Sequence, residues 1–107
     1  MLKRLRSNGE FESFLRDNQD QLMLVKFFTV WCGPCKNLQE NIEKLLEEKK
    51  DLVVLEIDAE MFPELAQRPD FNVYSVPTIF LFWKGKMLKK NSGNMSVQQL
   101  KEFLAVE

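Results

Sequence analysis

The chain predicts an α/β fold with a central mixed β-sheet flanked by helices, and three features of the sequence carry that expectation. Leu22 to Val30 is a nearly continuous apolar run, suited to a central strand covered on both faces. A helical stripe of Leu38, Ile42, Leu45 and Leu46 follows, and then a second apolar run from Leu52 to Ile57, which is the order of a βαβ unit. A hairpin and a closing helix complete the chain. At roughly 150 residues per domain, 107 residues give a single domain over positions 1–107.

Taken in order, Leu2 to Arg6 alternate weakly and suit a short edge strand. Ser7 with Glu10 reads as a capping box opening a helix over about Asn8 to Asp17, whose Phe11, Phe14 and Leu15 share one face. The long helix after Cys35 should end near Lys50, in a basic last turn that complements its dipole. A right-handed crossover through it would join two parallel strands. Pro63 opens a short helix through about Arg68, stopped by Pro69 and Asp70. Pro77 to Trp83 is the next strand, with Trp83 expected at the surface. Lys84-Gly85-Lys86 is a hairpin turn, and Met87 to Asn91 the return strand. Gly93 marks a bend. Ser96 with Gln99 is a second capping box, starting a helix that turns Val97, Leu100, Phe103 and Leu104 inward.

Composition removes several functions. Fifteen basic residues against 16 acidic leave a net charge of −1, without the Lys/Arg excess that a nucleic-acid surface needs. Lys26 interrupts the longest apolar stretch, so no membrane span is expected, and the start MLKRLRSNGEF has no apolar region of the secretory type. A cytoplasmic location follows as the expectation. The chain has no His, which excludes Ser-His-Asp and Cys-His nucleophilic catalysis.

Cys32 and Cys35 are the only cysteines. Counting pairs, random placement gives this spacing about 2% of the time. Zinc wants about four N or S ligands, which one chain without His cannot supply. A site shared between two chains would be needed for any metal or cluster. A static disulfide closing so short a loop would constrain little of the unfolded chain. A redox dithiol is the reading the context favours, because the pair sits where the central strand turns into the long helix. The unpaired N–H groups of that helix start favour an anion and lower a thiol's pKa. Cys32 is then the attacking thiolate and Cys35, one turn inward, the resolving thiol. Both sulfurs must be reachable by substrate and able to join. Pro34 belongs in the first turn, where its missing N–H costs nothing. Gly33 permits close backbone approach, and Trp31 offers a flat apolar face or simple core filling.

The segment Trp31-Cys32-Gly33-Pro34-Cys35-Lys36 resembles the active site of the thioredoxin family. The similarity extends through Leu24-Val25, Phe27, Val76-Pro77-Thr78, Lys84-Gly85, Gly93 and Gln99 to Leu104. It implies a thioredoxin fold with a cis Val76-Pro77 bond facing the dithiol. It also implies a shallow apolar groove from Trp31, Val76, Pro77 and Gly93, where the substrate chain pairs with the backbone at Val76. The activity implied is reduction of protein disulfides by a monomer, with no cofactor, recharged by a separate disulfide reductase. An oxidant or isomerase is the enzymatic alternative, and a partner-binding module with secondary redox activity is the alternative of another class.

The sequence departs from that pattern at one instructive place. Where the family carries a buried Asp beneath the second cysteine, this chain has Lys26, and where the family has a Lys on the neighbouring strand it has Val54. Glu56, two residues on, shares that face, so a charge-swapped Lys26–Glu56 pair is one expectation; a Lys26 stem that snorkels to the surface is the other. Phe28 replaces the family's second tryptophan, and the stretch from Asp58 to Pro77 is a few residues longer than usual.

Overall fold

The computed structural model describes residues 1–105, so the last two positions of the expected 1–107 domain lie outside the described residues. Five strands and four helices follow one another along them: β1 (Leu2–Arg4), α1 (Gly9–Asp17), β2 (Met23–Phe28), α2 (Gly33–Glu48), β3 (Val53–Asp58), α3 (Pro63–Ala66), β4 (Thr78–Trp83), β5 (Lys86–Ser92) and α4 (Val97–Phe103). They form one sheet in the order β1-β3-β2-β4-β5. The first three strands are mutually parallel, and β4 and β5 are antiparallel to their neighbours. The sheet is therefore mixed, with β2 at its centre.

Strand alternation sorts the core into two layers. Met23, Val25 and Phe27 of β2, with Val53, Leu55 and Ile57 of β3, pack with Phe11, Phe14, Phe71, Phe80 and Phe82 on the α1 side. Edge-to-face pairs at 5.0–5.8 Å, such as Phe71–Phe80 and Phe27–Phe80, fill that layer with rings in a favourable geometry. Leu24, Val54, Ile79 and Leu81 point the other way, onto Leu38, Ile42 and Leu45 of α2 and Leu100 of α4.

Several boundaries differ from the sequence reading, each for a local reason. β2 stops at Phe28, because Thr29 to Trp31 turn the chain into α2 and leave Val30 exposed. α2 ends at Glu48, two residues before the expected Lys50, so its last turn holds no basic residue and Lys49 becomes the C-cap. α3 is a single turn ending at Ala66 rather than Arg68. At α1 only the carboxylate half of the expected capping box forms: Glu10 Oε1 accepts from the N–H groups of Arg6 and Ser7, and Asn8 occupies the N-cap position without a side-chain bond. The box at Ser96 and Gln99 is complete. The hairpin turn is two residues, not three: Lys84 and Gly85 take φ of 52° and 77°, and Lys86 already pairs with Trp83. Trp83 is half-buried rather than exposed, beside Leu22, Leu52 and Leu104.

Candidate active site

The chain crosses from β2 into α2 at the carboxyl end of the central strand, which is where α/β sheets hold their ligands. Cys32 is the N-cap of α2, with extended backbone angles, and its Sγ accepts from the Cys35 N–H at 3.2 Å. The sulfur therefore occupies the position where helix donors converge on a negative group. Pro34 lies in the first turn, where no donor is lost. Cys32 and Cys35 are joined as a disulfide, their Cα atoms 5.3 Å apart. Both residues are less open than a protruding nucleophile: Cys32 is 4% and Cys35 6% exposed. They form part of the wall of an open cleft of about 440 Å³, beside an exposed rim of Trp31, Gly33 and Pro34.

Beneath the cysteines the α2-facing row of the sheet changes from apolar to charged. Leu24 and Val54 are register partners and fully buried; one rung nearer the dithiol, the partners are Lys26 and Glu56. Lys26 Nζ lies 2.7 Å from Glu56 Oε2, with both side chains buried, so the structure brings the two together and the lysine does not snorkel. The ammonium also donates to Gln39 Oε1. Gln39 stands one helical turn beyond Cys35 on α2, which ties the ion pair to the helix that carries the dithiol. Arg4 reaches Glu56 from the β1 edge at 3.8 Å and lies over the Phe28 ring at 4.6 Å, with Lys26 Nζ at 5.5 Å from the same ring. Phe28 in turn forms a small buried cluster with Cys32 and Cys35, against which Val76 packs. The Thr29 hydroxyl, buried and without a hydrogen-bond partner, belongs to the same cleft wall as Cys35, Lys26 and Gln39.

The Val76–Pro77 bond is cis, and Val76 packs against the cluster of Phe28, Cys32 and Cys35. Gly93, at φ +97°, donates its N–H to Pro77 O at 2.8 Å. Trp31 is 70% exposed, and its indole N–H donates to Glu60 Oε1. Of these residues, Trp31 adjoins Cys32 in the chain, Val76 packs against the cysteine cluster, and Gly93 is joined to Pro77 by its N–H. Sequence reasoning missed Gln39, Arg4, Thr29 and Glu60. For Gln39 the signal was present, since it follows Cys35 by four residues on a predicted helix; the others depend on chain crossings that no local pattern announces.

Comparison with known proteins agrees with this geometry. The family model described as Thioredoxin matches residues 3–106. A thioredoxin of Mycoplasmoides gallisepticum is 31% identical over 96% of this chain and 99% of its own. The mitochondrial thioredoxin-2 of Schizosaccharomyces pombe is 36% identical over 94% of this chain and 77% of its own. The X-ray structure of Fasciola hepatica thioredoxin superposes with a TM-score of 0.85 at 27% identity, over 95% of each chain.

Proposed function

The chain belongs to the thioredoxin family and is a thiol–disulfide oxidoreductase, and from that premise we propose how its residues divide the work. Cys32 thiolate, favoured by the α2 N-terminus, attacks a substrate disulfide and forms a mixed disulfide while one substrate sulfur leaves and takes a proton. Cys35 then gives up its proton in the cleft and attacks Cys32 Sγ. The second substrate sulfur is released reduced, and the Cys32–Cys35 disulfide remains. Trp31, Gly33, Pro34, Val76, Pro77 and Gly93 hold the substrate chain at the mouth, with the Val76 backbone as the pairing edge.

Lys26 favours the thiolate of Cys35 by attraction within the cleft, and Glu56 is what permits a buried ammonium there. The observation that carries the reading is the disulfide at the N-cap of α2 with a charged rung directly below it. We assign the physiological direction to reduction of cytoplasmic protein disulfides by a monomer, recharged by a separate reductase. No helix among the described residues is long and apolar enough to cross a membrane. The presence of Lys26 in the cleft supports a second reading: stabilising thiolates favours the reduced form and raises the potential toward an oxidant or isomerase. Equilibration with glutathione separates these directions.

Cys32→Ser is expected to abolish insulin reduction, whereas Cys35→Ser accumulates mixed disulfides. Retained turnover in Cys32→Ser overturns the assignment. Partner capture that survives replacement of both cysteines favours a binding module instead.

A further inference from the structure

The buried lysine beneath the dithiol is held by two groups of different kinds. Glu56 Oε2, 2.7 Å from Lys26 Nζ, is a carboxylate and comes from β3. Gln39 Oε1 is an uncharged amide oxygen and comes from α2, the helix that begins at the cysteines. The two differ in what they do to the charge. A carboxylate compensates the ammonium and weakens its field elsewhere, whereas an amide carbonyl accepts the hydrogen bond and leaves the charge in place. An ammonium has three N–H groups, so with Glu56 and Gln39 taking two, one is left for the cleft that Lys26 lines together with Cys35.

Gln39 is placed to set where that charge stands. It follows Cys35 by four residues on α2, about 6 Å along the axis and on the same side of the helix. Its amide has a definite orientation: Nε2 donates to Glu43 Oε1 at 3.3 Å, one further turn along, which leaves the carbonyl oxygen for the lysine. Lys26 Nζ also lies 5.5 Å from the centre of the Phe28 ring, and Phe28 clusters with Cys32 and Cys35. The other charged groups lining this cleft are Arg4 from β1, Glu56 from β3, and Lys36, Glu40 and Glu43 from α2. Arg4 and Lys36 are exposed, so Lys26 is the buried cation of the set and the one least screened by water.

We propose that Gln39 is a positioning residue for the resolving step, holding the Lys26 ammonium beside Cys35 without neutralising it, a role that rests on Lys26 favouring the Cys35 thiolate. In the mixed disulfide, Cys35 loses its proton to water in the open cleft. Its thiolate attacks Cys32 Sγ, so that the Cys32–Cys35 bond forms as the bond from Cys32 to substrate breaks, and the substrate sulfur leaves as a thiolate. The negative charge that forms on Cys35 is stabilised by a cation held near it. Without an acceptor on α2, the flexible lysine stem lets the ammonium settle against Glu56 alone, on the strand side of the cleft.

The test mixes reduced protein with excess dithiodipyridine, a neutral disulfide whose released thiopyridone absorbs light. The first release reports attack by Cys32 and scales with reagent concentration; the second reports attack by Cys35 and does not. Gln39→Met keeps the length and helix preference of the side chain and removes the acceptor. It is expected to slow the second release about two- to threefold at pH 7 and to move the pH midpoint of that phase upward, as a weakened cation requires. Lys26→Met with Glu56→Leu should slow it further. Adding Gln39→Met to that protein should then change it by less than about 1.2-fold, since no ammonium is left to hold. An unchanged second release in Gln39→Met, or equal slowing in both backgrounds, overturns the proposal. A Lys26→Met, Glu56→Leu protein that resolves as fast as wild type overturns the Lys26 reading and the role of Gln39 with it. A wild-type protein that gives no second release at all marks failure of the exchange reading itself.

Discussion

Glu56→Gln puts the charged rung to a quantitative test. The substitution keeps size and hydrogen-bonding capacity but removes the carboxylate 2.7 Å from Lys26 Nζ, whose side chain is only 3% exposed. Gln39 Oε1 remains as an acceptor, so what is lost is compensation of charge rather than a partner atom. Removing one member of a buried ion pair costs about 3–5 kcal/mol. The adjoining open cleft lets water approach the ammonium, which places the expectation at or just below the lower end of that range, about 2–3 kcal/mol. Arg4 loses the same carboxylate but is largely exposed and adds little. At about 4–8 °C per kcal/mol for a domain near this size, Tm should fall by roughly 10–20 °C. Urea unfolding of the oxidised protein at pH 7 should show a lower midpoint with unchanged m. The partner experiment is Lys26→Met with Glu56→Leu, which replaces the pair by apolar side chains and should recover most of the loss. A single-variant cost below about 1 kcal/mol, or a double variant no more stable than Glu56→Gln, would refute the mutual dependence of the two charges.

Two further outcomes bear on the loops around the mouth. Gly93→Ala forces a Cβ onto a backbone at φ +97° where no neighbouring atom lies within 4 Å, so strain alone should cost about 1–2 kcal/mol, read by urea unfolding. Because Gly93 N–H holds Pro77 O, KM for protein disulfides should rise in the same variant. Asp70 accepts from Arg68 Nε at 3.1 Å and from its terminal nitrogen at 2.7 Å, and this guanidinium holds the carboxyl below its usual range. A carboxyl with a depressed folded pKa stabilises the protein above its unfolded value near 4, and loses that contribution as pH falls through the folded pKa. Asp70→Asn should thus cost no more than about 1 kcal/mol at pH 7 for a half-exposed pair, with the difference from wild type vanishing in acid titrations followed by thermal unfolding.

How much of this was legible in the sequence depends on what defines each element. β2, β3 and β4 are covered on both faces and read as apolar runs, so burial itself wrote their pattern. All three residues of β1 are exposed, and the strand exists through its backbone ladder to β3, which explains why its alternation is weak. In β5 a register irregularity opposite Leu81 and Phe82 leaves Leu88 out of the pairing and 43% exposed, something no period-2 pattern encodes. The cysteines were legible because their chemistry is local: one turn, one helix start, two sulfurs three residues apart. The exposure of Val30 was not, since an apolar residue in a loop reads alike whether it plugs the core, as Phe71 does, or faces solvent.

The charged rung occupies the one level of its row that can accept it. Leu24 and Val54, one rung further from the dithiol, face Leu38, Ile42 and Leu45 with no exposed area, and a charge there would have neither water nor a polar neighbour. At the level of Lys26 and Glu56 the α2 side offers Gln39, the β1 edge offers Arg4, and the cleft reaches the side chains from outside. A buried lysine at this level therefore requires both the carboxylate on the neighbouring strand and the polar residue on the helix. The Lys26 side chain is held from both sides at once. A lysine held on one side only would be free to extend along the cleft into water, and its charge would then do little for Cys35.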